Sequence, residues 1–317
     1  MMMQVSLLSI LIPVYNEVEC LLLLHERLSE VIRQLDCRVE ILFVNDGSTD
    51  DSLDIIRELQ HSDGRISCLD LSRNFGKEIA MRAGIDYIKG EILTIMDADL
   101  QHPPELIPVM LEEIKNGYDD VYACRRTVKG ESFLKRTTSR VYYRFLKFVS
   151  MIDIQENTGD FRMFSHRAIC ALRELKENEL NMKYLFSHIG FRKKPVYFEQ
   201  DERVAGKTKW NYLKLLNLAV KGITSSSTMP LRFISLTGGV ISLVSFLFLI
   251  FVLLKAIIYG DPVTGYPSLM SVLLFLGGLI LLALGIIGEY LGIIFNETKK
   301  RPVYFVKNYE SCIRTET

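Results

Sequence analysis

Two stretches without a single charged residue limit this chain more than anything else in it. Residues 233–254 run for 22 positions between Arg232 and Lys255, and residues 262–288 run for 27 positions between Asp261 and Glu289. Roughly 20 apolar residues suffice for a helix to cross a bilayer core of about 30 Å. Buried helices of a soluble domain need no such length, so both stretches are expected to be transmembrane helices. A short turn rich in Gly, Pro and Asp joins them into a hairpin. Lys214, Lys221 and Arg232 precede it and Lys299, Lys300 and Arg301 follow it, whereas only Lys255 and Asp261 border the turn. Basic residues stay on the cytoplasmic side of membranes. Both termini are therefore expected to be cytoplasmic, at the plasma (inner) membrane.

The N-terminal part reads differently. Apolar runs at 7–14, 39–44, 66–71, 91–96 and 121–124 alternate with amphipathic patterns at 18–35, 51–61, 76–89 and 104–116. Such alternation predicts βαβ units and an α/β domain with a mostly parallel, Rossmann-like sheet. The apolar start lacks a basic leader and runs into Glu17, which fits a first strand better than a signal peptide. The six cysteines form no C-x-x-C pair and read as small core residues of a reducing compartment.

The 38 basic and 38 acidic residues cancel, yet the charge is sorted along the chain. Residues 1–124 hold 10 basic and 23 acidic side chains; the remainder holds 28 basic and 15 acidic. The acids gather where ligands of parallel sheets bind, just past the carboxyl ends of strands. The first strand ends in Pro13-Val14-Tyr15-Asn16-Glu17, the second in Asn45-Asp46-Gly47-Ser48, the third in Ser72-Arg73-Asn74-Phe75-Gly76-Lys77 and the fourth in Asp97-Ala98-Asp99-Leu100-Gln101. Neither a G-x-G-x-x-G nor a P-loop pattern occurs there, so a dinucleotide or P-loop site is unsupported. Carboxylates repel a bare diphosphate. Asp97, Asp99 and the amide oxygen of Gln101 instead form a set of hard oxygens suited to Mg2+ or Mn2+, with substrate phosphates completing the shell.

These residues also carry a resemblance. Ile12-Pro13-Val14-Tyr15-Asn16-Glu17, Val44-Asn45-Asp46-Gly47-Ser48-Thr49-Asp50 and Asp97-Ala98-Asp99 resemble the inverting, metal-dependent family-2 glycosyltransferases with an A-type fold. Arg73-Asn74-Phe75-Gly76-Lys77, Gly159-Asp160-Phe161-Arg162 and Arg203-Val204-Ala205-Gly206-Lys207-Thr208-Lys209 look like the polyprenyl-phosphate branch. Gly288-Glu289-Tyr290-Leu291-Gly292 and Lys299-Lys300-Arg301-Pro302 resemble the bactoprenol (undecaprenyl-phosphate) glucosyltransferases in particular. The resemblance implies a cytoplasmic catalytic domain at 1–203, an amphipathic interface helix at 204–231, the transmembrane hairpin at 232–290 and a cytoplasmic tail at 291–317. It implies transfer of glucose from UDP-glucose to undecaprenyl phosphate with inversion, giving a lipid-linked sugar for cell-surface glycan modification. The alternatives are a mannose or aminosugar donor or, outside enzymes, a nucleotide-binding membrane scaffold. A homo-oligomer is expected. Carried onto this chain, the resemblance gives the nucleoside to Pro13, Tyr15, Glu17 and Asp46. Asp97 would contact nucleotide or metal, and Asp99 and Gln101 the metal. Asp160 matches the position of a proposed base, and His102 is left without a role.

Basic residues interleaved with aromatics crowd 125–147 and 203–232. Beside a hairpin, such stretches suit anionic lipid headgroups better than nucleic acid. Arg125, Arg203 and Lys209 are the candidates for binding the acceptor phosphate through charge-assisted hydrogen bonds.

Overall fold

The computed structural model describes residues 5–125, 158–175, 182–198, 265–299 and 301–312, with scattered positions between 236 and 258. They fall into two compact units. The first contains β1 (Leu7–Val14), α1 (Leu21–Ile32), β2 (Arg38–Asn45), α2 (Ser52–Ser62), β3 (Ile66–Leu71), α3 (Lys77–Tyr87), β4 (Ile92–Ile95), a 3-10 turn (Pro104–Leu106) running into α4 (Ile107–Lys115), and β5 (Asp120–Arg125). It continues with β6 (Thr158–Phe164), α5 (His166–Glu174), α6 (Met182–His188), β7 (Lys193–Phe198) and, from the far end of the chain, β8 (Val306–Glu310).

The eight described strands make one sheet in the order β7-β5-β6-β4-β1-β2-β3-β8. β1 pairs in parallel with β2 and β4, and β2 with β3, so these four strands end on the same edge. Their apolar runs are buried almost throughout, as strands covered on both faces require. The helices bury one stripe each: α1 contributes Leu21, Leu24, Leu28, Val31 and Ile32 at the expected spacing. In α3, Gly84 lets the helix lie close on β1, because a Cβ there would sit 2.0 Å from Leu11 Cδ1. β1 has β4 on one side and β2 on the other, so the strand order reverses there. The β1–β4 ladder ends at Leu11 with Ile95, and Pro13 falls beyond it. A crevice opens at that switch point.

β6 runs antiparallel between β4 and β5. It carries Arg162, 1% exposed, which donates to the equally buried Asp120 at 2.9 Å and to Thr158 Oγ1 at 3.3 Å. Burial holds the Asp120 carboxyl above the usual carboxylate range, against the opposing pull of the Arg162 guanidinium. Two further arginines join α3 to α5: Arg82 donates to the carbonyls of Leu172, Arg173 and Leu175, and Arg173 to those of Ile85 and Ile88. Each helix thus satisfies the open carbonyls at the other's C-terminus.

The second unit is described through α7 (Tyr266–Thr298), a single helix of 33 residues. Leu269, Val272, Leu273, Ile280, Leu281, Leu284, Leu291, Ile294 and Phe295 all stand exposed on it. Over the described residues alone, no helix counts as long and apolar enough to cross a membrane. Over the full sequence, α7 is uncharged from its start to Gly288. α7 covers the second arm of the hairpin read from the sequence; most of the first arm, and the basic stretches beyond Arg125, lie outside the described residues.

Removing one partner of a buried ion pair strands the other. Arg162→Met is expected to destabilise the first unit by about 3–5 kcal/mol, measured by chemical denaturation against wild type.

Candidate active site

Past the ends of β1 to β4 lies a cleft of about 330 Å³, lined by Pro13, Val14, Tyr15, Glu17, Asp46, Asn74, Gly76, Lys77, Asp97, Ala98 and Asp99. Each strand contributes through the loop that follows it. Asn16 takes a left-handed φ of 57° and ties the first loop to the second: its N–H donates to Ser48 Oγ at 3.1 Å, and its Oδ1 accepts from the Thr49 N–H at 2.8 Å. Asp46 fixes the third loop, accepting the N–H groups of Phe75 at 2.7 Å and Gly76 at 2.9 Å. Gly47, at φ +64°, passes so near that loop that a Cβ would lie 2.4 Å from the Arg73 carbonyl carbon. Burial raises the Asp46 pKa, and the two backbone N–H groups work against that rise.

In the fourth loop, Leu100 is buried at φ 58°, an uncommon conformation for a non-glycine residue and one that gathers at functional sites. It turns the chain so that Asp99 Oδ1 accepts the Gln101 N–H at 3.1 Å. The same turn brings His102 inward, and donor atoms of Asp97, Asp99 and His102 all lie within 4.8 Å of one another. His102 packs against Phe161 and Phe198 at ring-centroid distances of 5.6 and 5.7 Å. Its Nδ1 is buried without a hydrogen bond. Burial lowers the imidazole pKa against the opposing pull of Asp97 and Asp99, which favours the neutral, metal-ligating form.

Lys77, the first residue of α3, reaches across the cleft. Its Nζ lies 2.6 Å from Asp97 Oδ1, an ion pair outside hydrogen-bond geometry, and donates to Asp160 Oδ2 at 2.5 Å. Burial works against the ammonium, but the two carboxylates outweigh it and hold its pKa above the ordinary lysine value. Asp160, on β6, moves the other way: burial would raise it, and Lys77 brings it below the usual carboxylate range. Glu17 is raised by burial and then by Asp99 and Asp97, so the cleft carries more negative charge than Lys77 alone balances.

Two carboxylates and a neutral imidazole with an unused buried nitrogen suit a divalent cation such as Mg2+ or Mn2+. Of the residues singled out in the sequence, Pro13, Tyr15, Glu17, Asp46, Asp97 and Asp99 line this one cleft, and Asp160 joins it through Lys77. Gln101 adjoins Asp99 through its backbone. Arg125 ends β5 opposite Phe198 of β7 and is not among the lining residues. Arg203 and Lys209 lie outside the described residues. Asn74, Gly76, Lys77 and His102 had been given no role; a lone lysine at a strand end otherwise lined with carboxylates was the available signal.

Gly159 abuts the imidazole: a Cβ there would lie 2.6 Å from His102 Nε2. Gly159→Ala is expected to displace the ring and weaken Mn2+ binding by about 10-fold or more, the scale of supporting residues around metal ligands. Isothermal titration with Mn2+ measures it, and unchanged affinity would remove His102 from the metal site.

The family model for glycosyl transferase family 2 matches residues 9–172, which span β1 to α5. An uncharacterized glycosyltransferase of Synechocystis sp. is 46% identical over 95% of this chain and 95% of its own length. A bactoprenol glucosyl transferase of Shigella phage SfX is 40% identical over 95% and 99%, and a prophage bactoprenol glucosyl transferase homolog of Escherichia coli is 40% identical over 95% and 98%. In fold, the chain is similar to glucosyl-3-phosphoglycerate synthase from Mycobacterium tuberculosis, solved with Mn2+, UDP and phosphoglyceric acid. The TM-score is 0.50 at 17% identity, over 69% of this chain and 76% of that one. The strand-end cleft, the matched span and the full-length relatives agree: the chain belongs to glycosyl transferase family 2, close to the bactoprenol glucosyl transferases.

Proposed function

We propose that this protein transfers glucose from UDP-glucose to undecaprenyl phosphate at the cytoplasmic face of the plasma membrane, with inversion at the anomeric carbon. The observation that carries the reading is the meeting of Asp97 and Asp99 in one cleft at the strand-order switch, with Asp160 tied to it through Lys77. The bactoprenol glucosyl transferases that match along 95% of the chain support the lipid acceptor and the sugar. An α7 of 33 residues spans about 50 Å at 1.5 Å per residue. That length, with leucines and isoleucines exposed along it, supports a lipid-facing second unit. A membrane anchor answers a physical need, since the donor is soluble and the acceptor phosphate cannot leave the bilayer.

In this reading Pro13, Tyr15, Glu17 and Asp46 enclose the nucleoside, and Asp97 and Asp99, with His102 or Gln101, hold the cation. Bound there, the cation would neutralise charge developing on the departing nucleoside diphosphate. Arg125, Arg203 and Lys209 bind the acceptor phosphate, whose oxygen attacks the anomeric carbon in line as the bond to the diphosphate breaks. A phosphate monoester with a second pKa near 6 is already mostly ionised at neutral pH. Asp160 therefore has little proton to remove, and its part is to orient sugar or acceptor.

Membranes containing the protein, incubated with labelled nucleotide sugars and undecaprenyl phosphate, test the reading. Metal-dependent label should enter the organic phase from UDP-glucose, be abolished by EDTA and carry the β anomeric configuration. Label from GDP-mannose or an aminosugar donor instead would reassign the sugar; no label from any donor would leave a nucleotide-binding scaffold. Asp99→Ala is expected to lower the rate by about 10²-fold or more, on the scale of losing one electrostatic transition-state contact. Asp160→Asn should retain appreciable activity with a flat pH response near neutrality, and a loss as large as that of Asp99→Ala would restore the proton-abstraction role.

A further inference from the structure

We propose that Lys77 is a positioning residue that sets the cation affinity of this site, competing with the divalent cation for Asp97 while holding Asp160 in place. The proposal rests on reading the cleft as a metal-assisted glycosyltransferase site, and adds to it a residue that tunes both the metal and Asp160.

Lys77 is badly placed for an ordinary stabilising ion pair. It is the first residue of α3, at the end where the helix dipole disfavours a cation. The N-cap before it is Gly76 at φ +100°, with no side-chain cap. Two carboxylates offset that cost, one from the loop after β4 and one from β6, two strands that neighbour each other in the sheet. The ammonium is the link between the proposed metal motif and the residue facing sugar or acceptor.

The next residue strengthens the link. Glu78 turns the other way and accepts the Met182 N–H at 2.8 Å, at the start of α6. Lys183 then returns to the Thr158 carbonyl at 3.2 Å, at the start of β6. The first turn of α3 therefore holds the Asp160 strand by two routes.

The charge pattern makes the coupling unavoidable. Asp97 Oδ1 lies 2.6 Å from the ammonium and belongs to the carboxylate group that would take the cation. Two cations sharing one carboxylate repel, so metal binding weakens the Lys77–Asp97 contact and leaves Lys77 to Asp160. Asp160 Oδ1 is buried without a hydrogen bond, while Oδ2 takes the lysine. One oxygen anchors the residue and the other is left without a protein partner. Removing the ammonium frees Asp97 for the metal and releases Asp160.

The test is Mn2+ binding to the full-length protein without nucleotide, read from the free-Mn2+ EPR signal, for wild type, Lys77→Met and Lys77→Arg. Lys77→Met is expected to bind Mn2+ about 10-fold more tightly, the direction set by removing a unit positive charge beside a ligand, and to lower kcat more than it changes the KM for the donor. Lys77→Arg, which keeps the charge, should stay within about 3-fold of wild-type Mn2+ affinity. A merely structural lysine would not tighten metal binding when lost. Unchanged or weaker Mn2+ affinity in Lys77→Met, alongside metal-dependent transfer by wild type, overturns the role of Lys77 and leaves the function standing. Tightened binding with no transfer from any donor sustains the role and overturns the function. No Mn2+ binding by wild type or variant, with or without added UDP, overturns the role of Lys77, and the function falls with it only if transfer also proves independent of metal. If Lys77→Met does not fold, Lys77→Gln gives the same comparison.

Discussion

Parallel pairing of β1 with strands on both sides is the constraint on which the site depends. Along a strand flanked by β2 and β4 and covered on both faces, a polar side chain such as Ser9 is sealed from solvent and spent on its neighbour Glu40. Chemistry can begin only where the ladder stops. It stops beside Leu11 and Ile95, so the loops after β1 and β4 separate around a crevice that β2 and β3 extend. Asp46 converts this edge into a fixed surface by taking two backbone N–H groups of the third loop. Hydrogen bonds across strand ends fix the second and third loops, while Ala98 and Leu100 pack the fourth into the core.

The first five strands were legible because their apolar runs have no alternative use, and their observed bounds fall within one or two residues of the pattern. β6, β7 and β8 were not. β6 buries Arg162, which reads as a surface residue until Asp120 is placed opposite it. β7 opens with Lys193, Lys194 and Pro195, a poor strand signal, and β8 carries Lys307, Asn308 and Glu310. All three are specified by partners distant in the chain, which periodicity cannot see. The site divides the same way. Carboxylates after strands were readable, and the family resemblance sharpened them. Lys77 was not, because a lysine at a helix start looks solvated until Asp97 and Asp160 are brought to it from 20 and 83 residues away.

Asp160 joins catalytic geometry to the architecture of the first unit. Its strand is held at one point by the buried Arg162–Asp120 pair and at another by Lys77. The α3–α5 arginine caps secure the helix that carries Lys77. A change well outside the cleft, in Arg82 or Arg173, therefore bears on how firmly the cleft is framed.

The eighth strand gives the end of the chain an unexpected task. β8 pairs antiparallel with β3, and nearby the Ser72 N–H reaches the Phe305 carbonyl and the Cys312 N–H reaches Ser67 Oγ. Without it, β3 would present a free row of backbone donors and acceptors, a template for pairing with a second molecule. With it, the sheet ends in a short strand whose lysine, asparagine and glutamate are exposed. Residues that follow α7 thus shield the sheet from self-association. A C-terminal fusion or truncation intended to spare catalysis would act first on whether the protein stays dispersed.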